Sequence, residues 1–433
     1  MSSYTFIVLL AALVLLLASG GVLAADPTTA AGEPIPITGC TEITNPGTYY
    51  LASDLIDLGC ETAISVRCSN VVIDGRNHHV EGNDSPATVG IDIRSQQGNP
   101  GITNVLVENI QLSGWDQGVV VSPAGGEASP PPYVRLNNVH SQNNTEGFDL
   151  WGPGTITLDG CTATSNLQKG IRADGIEGDL AVALTDVQIQ ANGDDGVYAR
   201  LTGMTINNCQ ISFNGWRTAE SSGFRLNKGS AIIRDSLFEQ NRGAGIFFET
   251  ATNGTVTGTK IQYNGVGIRD SSGDGTVNIY NNYFRNDRNV ALEGQVDTWS
   301  VQKRVGPNIV GGPSIGGNYW ASPNWTGFSE MHLDVDGDGF CDEQFVIDGG
   351  NVDHLPLAMP PAIVPGGTGI PTSTKQDGRF DDVNGNGVLD FNDVILLFNQ
   401  MDWIRENEPV AGFDFNGDGQ ITFADVVWLY GML

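Results

Sequence analysis

Between residues 90 and 270 the chain repeats a short phrase in which a glycine is followed by apolar and polar residues in alternation. Gly90, Gly118, Gly147, Gly170, Gly196, Gly223, Gly245 and Gly267 open the copies, and Gly170 to Asp174 reads GIRAD. Successive glycines lie 28, 29, 23, 26, 27, 22 and 22 residues apart. A phrase too short for a helix, returning at this period, predicts one strand in each coil of a solenoid. Ile91, Val119, Phe148, Ile171, Val197, Phe224, Ile246 and Ile268 then face the core. Two positions on, Ile93, Val121, Leu150, Ala173, Ala199, Leu226 and Phe248 join them. The fold expected is all-β, a right-handed parallel β-helix.

A second series keeps step with the first. Asn143, Asn166, Asn192, Asn214, Asn241, Asn264 and Asn286 recur at intervals of 23, 26, 22, 27, 23 and 22 residues. An Asn at one fixed turn of every coil can stack amide on amide and satisfy polar groups that the turn buries.

The pattern changes at both ends. The first 25 residues are uncharged, with an apolar run from Phe6 to Leu17 and small residues at Ala24 and Ala25, so residues 1–25 are expected to be a secretory signal peptide. Residues 26–36 read as a leader and 37–62 as an N-terminal cap over the open end of the stack. Coils are expected over 63–315 and a C-terminal cap with an Asp-rich loop over 316–357. Prolines and glycines between Pro360 and Pro371 mark 358–376 as a flexible linker. Beyond it the periodicity becomes helical at Asp393 to Met401 and Asp425 to Leu433, which predicts a separate small all-α module over 377–433.

Composition narrows the partners. Of 433 residues, 21 are Lys or Arg and 50 are Asp or Glu, a formal charge of -29. That excess argues against nucleic acid and anionic lipid and suits cation binding. After the signal no apolar segment is long enough to span a membrane, so a secreted, extracellular or cell-surface protein is expected. Export permits disulfides, and Cys40 to Cys60 is the bridge expected in the N-terminal cap. Cys161 and Cys209 sit two coils apart, at roughly 10 Å, too far to bridge, and are expected to be buried thiols.

The sharpest chemical signal lies in the helical module. Asp382, Asn384, Asn386, Val388, Asp390 and Asp393 occupy positions 1, 3, 5, 7, 9 and 12 of a calcium loop, with Gly387 at position 6. Asp414, Asn416, Asp418, Gln420, Thr422 and Asp425 repeat the pattern 32 residues later. Alternate oxygen ligands converge on one hard cation, glycine permits the sharp turn, and position 7 offers its carbonyl. Because both loops end in Asp and neither follows an amphipathic helix, residues 377–433 resemble a type I dockerin. The resemblance implies two calcium ions and calcium-dependent binding to a cohesin-type partner, which Phe391, Asn392, Phe423 and Ala424 at positions 10 and 11 help to select.

A third loop, Asp334, Asp336, Asp338, Phe340 and Asp342, opens alike but has Phe345 at position 12. Its last ligand is expected from Asp348 or Asp353, which would complete a third Ca2+ site. Together with GNYW before it and VIDGGNVDHLPL after it, this region resembles the C-terminal end of the periplasmic copper-binding β-helix family. The name does not bring copper with it, because His78, His79, His140, His332 and His354 are scattered along the chain.

Outward positions of the glycine-led strands align into a ribbon. Asp149, Trp151, Arg172, Asp174, Tyr198, Arg200 and Arg225 fall together on consecutive coils. Flat rings stack on sugar faces, while Asp and Arg bond hydroxyls or uronate carboxylates, so a polysaccharide or glycoprotein glycan is the candidate ligand. Asp149, Arg172, Asp174 and Arg200 are the candidates for catalysis, and Trp151, Tyr198 and Arg225 for glycan binding. A hydrolase needs two carboxylates at roughly 5 to 9.5 Å; a lyase needs a base such as Arg172 or Arg200. Two other readings stay open: a salt-bridged ladder without a ligand, and a non-catalytic surface-layer or adhesion protein.

Overall fold

The computed structural model describes residues 32–95, 101–122, 132–176, 179–273, 275–294 and 296–433. The expected signal peptide and most of the leader lie outside the described residues. Contacts divide the chain into two units. The first runs to Thr255 and includes 264–276 and 291–295; the second comprises 256–263, 277–290 and 296–433.

The first unit is a parallel β-solenoid. Glu146–Trp151 pairs with Ile171–Asp174, that strand with Val197–Asn207, and that with Phe224–Arg234, all parallel. Phe148, Ile171, Val197 and Phe224 stand in register, and every inward position named above is fully buried. Successive strands therefore place like side chains over like, which keeps one apolar column continuous from coil to coil.

The glycine and Asn repeats are one device. Asn166 donates its backbone N–H (3.0 Å) and side-chain Nδ2 (2.9 Å) to Asn192 Oδ1, and Asn192 does the same to Asn214 Oδ1 at 3.1 and 2.9 Å. The stack continues through Asn241 to Asn264. A Cβ placed on Gly170 would lie 2.7 Å from Asn192 Nδ2 and 2.7 Å from the Gly196 carbonyl oxygen, and Gly147, Gly196, Gly223 and Gly245 face the same obstruction. The glycine is thus demanded by the close approach of the ladder, not by an unusual φ.

One rung differs from the sequence expectation. Asn144, not Asn143, enters the ladder and donates to Asn166 Oδ1 at 3.1 Å. Asn143 takes the left-handed position (φ 52°), as do Ser165, Ala191, Phe213, Gln240 and Tyr263 immediately before their own ladder residues. Asn286 bonds Ile261 O and is closed by Asn289. The Cys40–Cys60 disulfide is present, while Cys161 and Cys209 are buried free thiols, pushed up to about 12 and about 11 by burial.

In the second unit Tyr283–Arg285 pairs in parallel with Tyr319–Ala321, stacking Tyr283 on Tyr319 and Phe284 on Trp320 at 5.3 and 4.7 Å. Here a further ladder runs from Asn282 to Asn318 and ends on a carboxylate. Asp353 Oδ2 accepts from Asn318 N and Trp320 Nε1, and Oδ1 accepts from Leu355 N. Burial lifts this carboxyl to about 6 against those bonds. Asp353, one of the two residues expected to complete the Asp334 loop, is thus the ladder's terminus, and the other, Asp348, closes its own turn through Oδ1 on Gly350 N and Asn351 N.

The helical module also belongs to the second unit. Its helices span Phe391–Asn407 and Phe423–Tyr430, starting two residues before the expected position because Asp390 and Thr422 cap them. Val364, Val383, Leu397, Ile404, Phe413 and Leu429 form its core. Val364 comes from the segment expected to be a flexible linker, and that segment is fastened instead. Thr372 exchanges two backbone bonds with Asp382 and donates its hydroxyl to Asp382 Oδ2 at 2.7 Å. Thr368 N and Gly369 N donate to Asn384 O, and Ala362 N donates to Glu408 Oε1 at 2.9 Å. Proline and glycine content reports the turns of a strap as readily as the freedom of a linker.

Glu408 gives this strap a pH dependence. Its side chain is buried and its carboxyl is pushed up to about 7 by burial, with the Ala362 N–H pulling the other way. A group raised in the folded state contributes most below its unfolded value, and that contribution is lost as pH rises through the folded one. Ionisation is expected to cost on the order of 3 kcal/mol by pH 8.5. Denaturant unfolding of the second unit at pH 5.5 and 8.5 checks this: the wild type weakens at the higher pH, and Glu408→Gln removes most of the difference. Equal slopes with pH in both proteins would refute the assignment.

Candidate functional site

The three acidic loops share a backbone pattern. Asp382 accepts from Asn386 N and Gly387 N, Asn384 Oδ1 from Asn386 N, and Asn386 Oδ1 from Val388 N. Asp414, Asn416 and Asp418 repeat these bonds in the second loop, and Asp334, Asp336 and Asp338 repeat them in the third. The position 12 residues close the first two loops: Asp393 accepts from Asn384 N and Asp390 N, and Asp425 from Asn416 N and Thr422 N.

The donor set fits a hard cation. Asp382, Asp393 and Asp425 are fully buried and Asp414 nearly so, and among the described residues no salt bridge joins them to Lys or Arg. Burial raises the Asp393 and Asp425 carboxyls, and the neighbouring Asp382 and Asp414 carboxylates add to it. Buried like charges of this kind call for a counter-ion. The third loop differs: Asp334, Asp336 and Asp338 cluster, Asp342 accepts from Val335 N, and Lys303 Nζ already lies 3.0 Å from Asp338. Phe345 packs on Trp320 and Phe328 rather than supplying a ligand.

Beside the loops the two helices expose an apolar face. Phe391, Phe398, Phe423, Trp428 and Tyr430 are each more than half exposed, and Asn392 and Ala424 are exposed with them. Phe391 meets Tyr430 edge-on at 6.1 Å and Phe398 meets Phe423 at 5.9 Å, so the 32-residue offset carries one pair onto the other.

The ribbon of the first unit brings together all seven predicted residues. Asp149, Arg172, Tyr198 and Arg225 stand in one row, and Trp151, Asp174 and Arg200 in the next. Asp174 is 2% exposed and takes Arg200 at 2.8 Å and Arg172 at 3.4 Å. Asp149, 4% exposed, accepts from Gln117 Nε2 at 2.7 Å, with Arg172 Nε at 4.0 Å. Burial raises its carboxyl, the Trp151 bond opposing. Arg172 thus stands between the two carboxylates, with its guanidinium 4.6 Å above the Trp151 ring. These pairs are the salt bridges of the ladder reading, and they set a cation between the two carboxylates that a hydrolase would use.

A third row was not legible as part of the ribbon. Glu146, Lys169 and Asp195 stand one residue before their glycines, where the bend at the glycine breaks the alternation on which the other rows were read. Lys169 Nζ lies 3.6 Å from Glu146 and 5.9 Å above the Tyr198 ring. Asp195 accepts from Ser222 N and lies 3.5 Å from Arg225 Nε. Burial lifts Asp195 to about 6, with Arg225 opposing, and raises Glu146, with Asp149 adding to it. Asp194 is paired with Arg217 at 3.8 Å.

The five His rings take separate partners, Asp54, Ser113, Thr162, Phe328 O and Gln344, and among the described residues the one cluster of three His, Cys, Asp or Glu ligand groups is the acidic one at Asp334, Asp336 and Asp338.

Residues 69–325 match the periplasmic copper-binding protein (NosD) family, and residues 380–433 match the dockerin type I domain. Comparison with curated proteins returns no match. Among solved structures the chain is similar to the Dettilon tailspike protein, with 13% identity over 59% of this chain and 55% of that one, at a TM-score of 0.43. The chain therefore spans about half the length of that tailspike. It is similar to the A-module of an Azotobacter vinelandii mannuronan C-5 epimerase, with 15% identity over 62% and 86% of the two chains and a TM-score of 0.35. A pectate lyase shows 16% identity over 64% and 74%, with a TM-score of 0.37. Among the described residues no helix is long and apolar enough to cross a membrane.

Proposed function

The chain belongs to the periplasmic copper-binding protein (NosD) family and carries a type I dockerin domain; from that premise we propose that it is an extracellular, polysaccharide-directed β-helix protein anchored through calcium to a cohesin-type partner. The observation that carries the reading is the pair of matched acidic loops beside the exposed Phe391, Phe398, Phe423 and Trp428 face. Two calcium ions in these loops would fix the helices, and Phe391, Asn392, Phe423 and Ala424 would meet the partner. Asp149, Trp151, Arg172, Asp174, Tyr198, Arg200 and Arg225 would hold the glycan. Glycan cleavage is a second reading, favoured by Asp195, a buried carboxyl lifted to about 6 and so able to exchange a proton near neutrality.

The test is a surface coated with cohesin modules. In calcium it should retain the protein together with a soluble glycan, and chelator should release both. Retention that chelator leaves unchanged would contradict the reading.

A third calcium ion is proposed at Asp334, Asp336 and Asp338, with the Phe340 carbonyl at position 7 and Asp342 behind them. Equilibrium dialysis should count three ions per chain, the third the weakest because Lys303 competes at Asp338. Asp336→Asn should bring the count to two; an unchanged count would remove the third site.

A further inference from the structure

We propose that the ribbon of the first unit is a receptor for an acidic polysaccharide, whose carboxylate groups are taken by a file of guanidinium groups laid over aromatic rings. The proposal rests on the polysaccharide reading of the same ribbon and names its substrate class.

The first ground is the layering of charge. Side-chain exposure is 2% for Asp174, 5% for Asp149, 8% for Asp195 and 10% for Glu146. It is 46% for Arg200, 31% for Arg172, 22% for Lys169 and 19% for Arg225. The carboxylates form a buried rail and the cations lie over it, so an arriving chain meets N–H donors first. The second ground is concentration. In a chain of net charge -29 with 21 Lys and Arg, six of them, Arg94, Lys169, Arg172, Arg200, Arg225 and Arg269, stand along this one ribbon.

The donors open to a ligand are the exposed ones, Arg200 and Arg172 at 46% and 31%, while Arg225 Nε is buried at 3.5 Å from Asp195. Arg172 lies on Trp151 at 4.6 Å, and Arg225 and Arg269 flank the Phe247 ring at 5.1 and 4.7 Å. Rings hold the Arg172 and Arg225 guanidinium planes, and the N–H groups that Asp174 and the Glu220 carbonyl do not take are left for a carboxylate, whereas Arg269 is already engaged by Glu220 and Glu293. Arg200 and Arg225 stand on successive coils, about 4.8 Å apart along the solenoid. That step is close to the length of one pyranose, so a linear polyuronate lying along the axis can offer a carboxylate to each coil.

Acid should strengthen the binding. Asp195 faces Arg225, Lys169 and Asp194; Asp149 faces Arg172, Asp174, Glu146 and Trp151; Glu146 faces Lys169, Asp149 and Arg172. As pH falls toward 6, Asp195 takes up a proton and loosens its hold on Arg225, and the raised Asp149 and Glu146 carboxyls shift in the same direction, while uronates remain ionised. Glu220 and Glu293, both bound to Arg269, bound the receptive stretch at that end.

The experiment is calorimetric titration of the full chain with polygalacturonate and with its carboxyl-reduced neutral counterpart, at pH 6 and 8. The wild type should bind the acidic polymer at least about tenfold more tightly than the neutral one, more strongly at pH 6, and less strongly as salt screens the charges. D174N/R200Q, which removes a pair without orphaning a buried charge, should lose about tenfold, whereas Arg200→Lys should lose less. Equal binding of both polymers would overturn the acidic class and leave the glycan reading standing; binding of neither would overturn both. The comparison of polymers is made on the wild type, so it decides even if a variant fails to fold.

Discussion

Asn192→Ala should destabilise the solenoid of the first unit by about 4 kcal/mol, among the largest effects of any single side chain in it. Asn192 Oδ1 accepts from the backbone N–H and the side-chain amide of Asn166, and its Nδ2 donates to Ala163 O and Asn214 Oδ1. All of these groups are buried, so the truncation leaves the Asn166 N–H without a partner and takes a donor from both the Ala163 carbonyl and Asn214 Oδ1, at about 1–3 kcal/mol for each group left unsatisfied. Asn192→Asp should also destabilise, because it turns a donor facing two acceptor oxygens into a third acceptor. The neighbouring pair supplies the contrast. Asn144→Ala breaks the ladder, whereas Asn143→Ala changes an exposed left-handed residue and should cost about 1 kcal/mol. Urea unfolding followed by tyrosine and tryptophan fluorescence separates the two, and equal shifts for Asn143→Ala and Asn144→Ala would contradict the assignment.

Removal of calcium should have the second large effect, unfolding the helical module while the solenoid persists. Four buried or nearly buried carboxylates, Asp382, Asp393, Asp414 and Asp425, lie in loops that bring no basic partner to them. Without a cation they must accept like-charge burial, protonate or open, and opening also frees the caps at Asp390 and Thr422 from which the helices start. Because Thr372 is bonded to Asp382, the strap should loosen with the first loop. Chelation should therefore cost most of the helical far-ultraviolet signal and the dispersed amide resonances of residues 377–433, and calcium should restore both. Retention of those resonances in excess chelator would show that the loops fold without metal.

Much of this was legible from one dimension because a solenoid repeats. Alternation of apolar and polar residues located the inward columns, and the Asp and Asn spacing located the loops before any contact was known. The departures arise where two neighbours in sequence compete for one place in space. At Asn143 and Asn144 spacing alone could not tell which residue takes the left-handed turn and which the ladder. The Asn282 to Asn318 step spans 36 residues and so breaks the period that betrayed the other rungs. The Glu146, Lys169 and Asp195 row falls before the bend at each glycine, outside the alternation. The strap from residue 358 to 376 reads as a linker because composition records turns but not the partners of the backbone groups between them.

Attachment through calcium is tested most directly by calorimetric titration of a type I cohesin module into the full chain. Saturable binding near one to one is expected in calcium, with its loss in chelator and a sharp weakening on replacing the exposed Phe391 and Phe423 by Asp. Binding of equal strength with and without calcium, or binding indifferent to both substitutions, would contradict it.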